Sequence, residues 1–168
     1  MHLHKYEKIW LIFGVASLIL FLTVLGIGAF YKGMQPPSHL ATIDPQNVEA
    51  HEAFRDENLG LRQVGEDKYI VSVIASAFNY DFGLDEEGSA VKNIRIPEGS
   101  TVLFQVTTTD VVHGFHLAGT NVNMMVEPGH ISSLETVLKT AGTYTLVCNE
   151  YCGTGHHYMA ATVEVYKP

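Results

Sequence analysis

The run from Ile9 to Phe30, IWLIFGVASLILFLTVLGIGAF, holds 22 residues without a charge, and nothing else in the chain constrains its fold as strongly. At about 1.5 Å per residue a helix of that length spans roughly 33 Å, enough for the hydrocarbon core of a bilayer. A cleaved signal peptide shares the basic start and the small residues Gly26, Gly28 and Ala29. Its apolar region is usually only about 7–15 residues, however. The run is therefore read as a retained transmembrane helix over residues 9–31. Lys5 and Lys8 precede it and Lys32 follows, which favours a cytoplasmic N-terminus (1–8) and a C-terminal part on the outer face. Trp10 and Tyr31 are placed as interfacial anchors, and His2 and His4 read as solvated interfacial residues.

The remaining length suits one compact domain. Ten Lys+Arg against eighteen Asp+Glu exclude a nucleic-acid partner, which needs a basic face. Residues 32–67 are polar and read as a linker with a short helix: Asp44–Pro45 resembles an N-cap followed by proline, Gly60 a helix end, and Val48, Phe54 and Leu59 a thin apolar stripe. From Tyr69 the pattern becomes YIVSVIASAF, KNIRIP, TVLFQVTT, GTYTLVC and ATVEVY, rich in β-branched and aromatic residues. Pro97–Glu98–Gly99, Pro128–Gly129 and Ala141–Gly142 punctuate them. Residues 68–168 thus predict a mainly β domain, a sandwich or barrel.

Two cysteines are too few for a disulfide framework. They fall in Cys148-Asn-Glu-Tyr-Cys152-Gly-Thr-Gly-His156-His157-Tyr-Met159, while Asp110-Val-Val-His113-Gly-Phe-His116 supplies further imidazoles on an expected inter-strand turn. A Cys148–Cys152 disulfide leaves the histidines and methionine unexplained. A structural zinc site has no use for a thioether. Thiolate, thioether and imidazole together select copper, and the second cysteine is surplus unless two coppers share bridging thiolates.

The pattern D-x-x-H-x-F…C-x-E-x-C-x-x-x-H-x-x-M resembles the dinuclear copper (CuA) domain of subunit II of haem–copper cytochrome c oxidases, over Tyr69–Lys167. A single N-terminal helix preceded by Tyr6-Glu7-Lys8 is most similar to the ba-type members. The resemblance implies a cupredoxin-like Greek-key sandwich behind one transmembrane helix. It also implies a mixed-valence pair of copper ions bridged by Cys148 and Cys152, with His113 and His156 each terminating one copper. Met159 and the backbone carbonyl of Glu150 would be weak axial ligands. His116 and His157 stay open as alternatives to His113 and His156, and Met124 and Met125 read as core or rim.

The family's function is to accept electrons from a c-type cytochrome and pass them to haem in the partner subunit I, where oxygen is reduced and protons are moved. Haem belongs to that partner only. The implied location is a bacterial or archaeal cell membrane, in contact with lipid. The family's Trp-rich electron-receiving cluster is missing here; Phe78 and Tyr80 are its candidate replacements, with core packing the open alternative for either. The Glu150 side chain is a candidate magnesium ligand at the subunit interface, and Glu7 a candidate for proton uptake. Residues 31–168 carry 8 Lys+Arg against 17 Asp+Glu, net −9, and the run Asp85, Glu86 and Glu87 could steer a basic donor. A membrane-anchored copper carrier without an oxidase is the alternative. The copper domain of a nitrous-oxide reductase is disfavoured, since that enzyme needs a large additional catalytic domain.

Overall fold

The computed structural model describes residues 4–32, 34, 36–85 and 87–168; His2 and Glu86 lie outside the described residues. The chain divides into two compact units, Met1–Gln35 and Pro36–Pro168.

In the first unit, α1 (Lys5–Gly26) continues into a π-helical turn, Ile27–Tyr31. Its start is capped: the Glu7 carboxylate accepts the backbone N–H of His4 at 2.8 Å, satisfying a donor that a helix N-terminus leaves open. The helix buries no residue within this chain and is apolar on every face, as expected of a lipid- or partner-facing span. Its polar side chains turn inward on the backbone, Ser17 donating to the Gly14 carbonyl and Thr23 to that of Ile19. Among the described residues this is the one helix long and apolar enough to cross a membrane.

The second unit is a two-sheet β-sandwich. One sheet orders β1 (Ser38–Thr42), β9 (His130–Val137), β6 (Thr101–Thr108), β3 (Lys68–Ser76) and β2 (Gly60–Gly65), with β4 (Asn79–Asp81) beside the end of β3. The other orders β5 (Asn93–Pro97), β11 (Ala160–Tyr166), β10 (Gly142–Val147), β7 (His113–Leu117) and β8 (Asn123–Val126). The parallel pairs β3–β6 and β5–β11 among otherwise antiparallel neighbours require crossings between the sheets, and the result is cupredoxin-like. Alternating side chains such as Ile94 and Ile96, or Val102, Phe104 and Val106, point into one core. At its centre Phe115 packs on Phe104 and Tyr80, with ring centroids 5.6 and 5.7 Å away.

Two expectations change. Residues 32–67 are not only a linker, because β1 and β2 are strands of the first sheet. The expected helix is replaced by three short 3₁₀ turns, Val48–Ala50, Glu52–Phe54 and Asp56–Asn58, which bury Val48 and Phe54. Gly60 starts β2 instead of ending a helix, at φ +76° and with Phe82's backbone too close for any Cβ. The second change concerns His113–His116, expected on a turn: they lie within β7, an interior strand between β10 and β8. The base of the loop that follows β10 is closed by the pairing Val147↔Ala160 with β11.

Candidate metal centre

The loop 148–159 between β10 and β11 brings the sequence-predicted donors to one rim of the sandwich. Cys148 and Cys152 are free thiols with sulfurs 3.7 Å apart. His113 arrives from β7 with Nδ1 4.0 Å from Cys148 Sγ, and His156 lies with Nδ1 3.5 Å from Cys152 Sγ. Met159 Sδ is 3.8 Å from Cys152 Sγ, and the carbonyl of Glu150 accepts from the Cys148 thiol at 3.1 Å. The donor atoms of His113, Cys148 and Cys152 lie within 4.8 Å of one another. All six donors therefore converge, each sulfur with its own imidazole.

The other histidines and methionines separate cleanly. His113 is fully buried, whereas His116, three residues along an extended strand, is half-buried. His157 lies at the surface against Tyr158, ring centroids 3.8 Å apart and tilted by 45°. Met124 is core and Met125 lies half-exposed on the rim.

Asp110 holds the buried imidazole. Its Oδ1 lies 2.8 Å from His113 Nε2, and an ionised carboxylate can only accept, so Nε2 carries a hydrogen and Nδ1 is the ring nitrogen turned toward the sulfurs. Burial alone would raise the Asp110 pKa. Hydrogen bonds from His113, the N–H groups of Ala77 and Val111 and the Thr108 hydroxyl outweigh it, and hold the carboxyl at about 2. Burial, with Cys148 adjacent, pushes the Cys152 thiol up to about 11. Burial also raises the Tyr80 phenol far above its ordinary range, with both cysteines adding, so it stays a protonated donor.

Phe78 and Tyr80 part company. The Phe78 ring, 37% exposed, covers the loop: a Cβ on Gly153 would fall 3.2 Å from it and one on Gly155 2.5 Å. Tyr80 takes the core alternative, 5% exposed, and cannot touch a donor protein directly. Tyr151 and Tyr158, both 78% exposed within the loop, were missed from sequence. Asp110 was also missed as a partner of His113, although the i,i+3 spacing of acid and imidazole signals it. Among the described residues, Glu7 makes its contact with the helix start only.

A profile of the family described as cytochrome c oxidase subunit II, periplasmic domain, matches residues 63–166. The chain belongs to the cytochrome c oxidase subunit II family. A cytochrome c oxidase subunit 2 of Thermus thermophilus is 35% identical over 162 residues, 95% of this chain and 91% of the relative. A second from the same species is 36% identical over 133 residues, covering 79% and 92%. A solved haem–copper terminal oxidase dimer contains a chain of 29% identity and TM-score 0.75, matched over 96% of this chain and all of that one. As in the family, the subunit is membrane-anchored, its apolar helix preceding the sandwich, and belongs to an oxidase whose expected partner is subunit I. Its soft donors fit copper: two thiols, two imidazoles and a thioether, with the His113 ring held by Asp110 so that Nδ1 faces the sulfurs.

Proposed function

We propose that this subunit receives electrons one at a time from a c-type cytochrome at the outer face and delivers them to haem in subunit I. Cys148 and Cys152 would bridge two coppers, His113 and His156 would terminate them, and Met159 and the Glu150 carbonyl would be weak axial donors. When bound, the pair supplies a one-electron couple whose unpaired electron is shared across both metals. The residues of the chain do the rest. Asp110 orients His113, the loop base Val147↔Ala160 restrains the ligands between redox states, and Phe78 covers the loop at Gly153 and Gly155, between Cys152 and His156. The observation that carries this reading is the pair of sulfurs 3.7 Å apart with an imidazole nitrogen beside each. A single-copper site needs only one of them.

The donor would meet the rim at Phe78, Tyr151 and Tyr158, an exposed aromatic surface on a domain of net charge −9 over residues 31–168, by 8 Lys+Arg against 17 Asp+Glu. The N-terminus lies on the cytoplasmic side, and the single helix is consistent with the ba-type oxidases. There Glu7 would take part in proton uptake toward subunit I. A magnesium ion on the Glu150 side chain at the subunit interface completes the proposed assignments.

The test is EPR of the copper-loaded full chain together with a metal count. Two coppers per chain and hyperfine structure from one electron on two equivalent nuclei are expected. One copper, or a single-nucleus spectrum, would overturn the reading. Co-purification of a haem-bearing membrane subunit separates an oxidase subunit from a free copper carrier.

A further inference from the structure

Behind the metal ligands, a line of hydrogen bonds runs from a buried phenol to one of the two sulfurs. Tyr80 lies in β4 under the rim, its ring edge-on to Phe115. Its hydroxyl donates to the carbonyl of Gly114, the residue after His113 in β7. The N–H of Gly114 in turn donates to Cys148 Sγ at 3.3 Å. No side chain can stand at this position: a Cβ on Gly114 would meet the backbone nitrogens of Asn149 and Glu150 at 2.6 and 2.9 Å. The strand thus passes against the loop at a separation that requires glycine, and glycine is the residue whose peptide orientation is least fixed by its own geometry. Beside the β7–β8 pairing that includes Gly114↔Met125, Tyr80 adds a restraint on the adjoining peptide by holding the Gly114 carbonyl.

We propose that Tyr80, acting through Gly114, is a positioning residue that fixes the N–H donated to Cys148 and thereby sets how electron density divides between the two sulfurs. The proposal rests on the two-copper reading above. A hydrogen bond to a metal-bound thiolate withdraws density from it and favours the reduced state, so its loss lowers the reduction potential. Its loss also raises the covalency of Cys148 relative to that of Cys152.

The experiment uses the full chain in detergent, copper-loaded. Tyr80→Phe keeps the ring and removes the hydroxyl; Phe115→Leu removes the ring contact and keeps the hydroxyl. Tyr80→Phe is expected to retain two coppers, shift the potential downward and increase the Cys148 β-proton hyperfine coupling relative to that of Cys152. Phe115→Leu is expected to leave both readouts in place. An unmoved potential and coupling in Tyr80→Phe would overturn the proposal, as would an equal shift in Phe115→Leu. Independently of any variant's folding, wild-type chain labelled with ¹⁵N-glycine should show a glycine nitrogen coupled to the unpaired electron. Absence of that coupling overturns the proposal as well. A wild-type chain without two coppers overturns the functional reading itself, and the metal count distinguishes that failure from this one.

Discussion

Asp110 Oδ1 lies 2.8 Å from Nε2 of His113, three residues on, and so aims the other ring nitrogen at Cys148. The same carboxylate accepts the Ala77 N–H at 2.7 Å, tying the Phe78 segment to the ligand strand.

Replacing Asp110 by Asn keeps the size but permits either tautomer of His113. Copper affinity should fall roughly 10-fold, within the range seen when such partners of a metal-bound histidine are removed. A competition titration against a copper chelator measures it. The carboxyl also links the metal-free fold to acid. Its folded pKa of about 2 lies below its ordinary 3.8, so the stability it contributes is present above pH 3.8 and disappears as pH falls toward 2. Asp110→Asn should remove that part of the acid dependence, read from denaturant midpoints across pH.

Copper uptake should release protons. Cys152, at about 11 against an ordinary 9.0, is a thiol at neutral pH, and a bridging thiolate must lose its proton. Apparent affinity is expected to rise with pH up to that value, and calorimetry in buffers of different ionisation heat counts the protons. Without metal the sign reverses: the raised pKa favours the protonated fold, whose stability is complete below pH 9 and declines toward pH 11.

Gly114→Ala should cost about 1–3 kcal/mol, since the new Cβ meets loop backbone, which cannot step aside as a flexible side chain can. Chemical denaturation gives the stability. A disturbed copper spectrum in the material that still folds would place the strain at the loop.

Glu7→Gln offers a clean test of proton uptake, because glutamine can still accept the His4 N–H that caps the helix. Oxidase turnover is expected to fall while the copper spectrum is unchanged. Wild-type turnover would leave Glu7 with a capping role alone.

Neutralising Asp85 and Glu87 together tests steering. Asp85 also accepts the N–H groups of Glu87 and Ser89, so asparagine at 85 and glutamine at 87 preserve the turn. The donor's association rate should drop a few-fold at low salt and become less salt-dependent. An identical rate across ionic strength argues against steering by these residues.

The transmembrane run and the strands around Val71, Ile94, Phe104 and Val163 were legible because their patterns are local: an uncharged stretch, or apolar residues concentrated in short β-branched runs. The ligand loop was legible because its chemistry is concentrated within twelve residues. β1 and β2 were not, since their partners β9 and β3 decide them, and their own residues are largely exposed and polar. β7 hid behind His113 and Gly114, which read as turn residues but are buried for the sake of the metal ligands and the close loop. Tyr80's role depends on a partner 34 residues away in sequence, beyond any periodicity argument.

The register Val147↔Ala160 has a kinetic consequence. β-pairing holds both ends of the ligand loop together without metal, so the chain freedom lost in closing it is lost on folding. Incoming copper therefore meets a frame that needs only local adjustment at its tip. Insertion should then behave as a second-order encounter, limited by how fast the metal's carrier releases it and not by refolding of the domain.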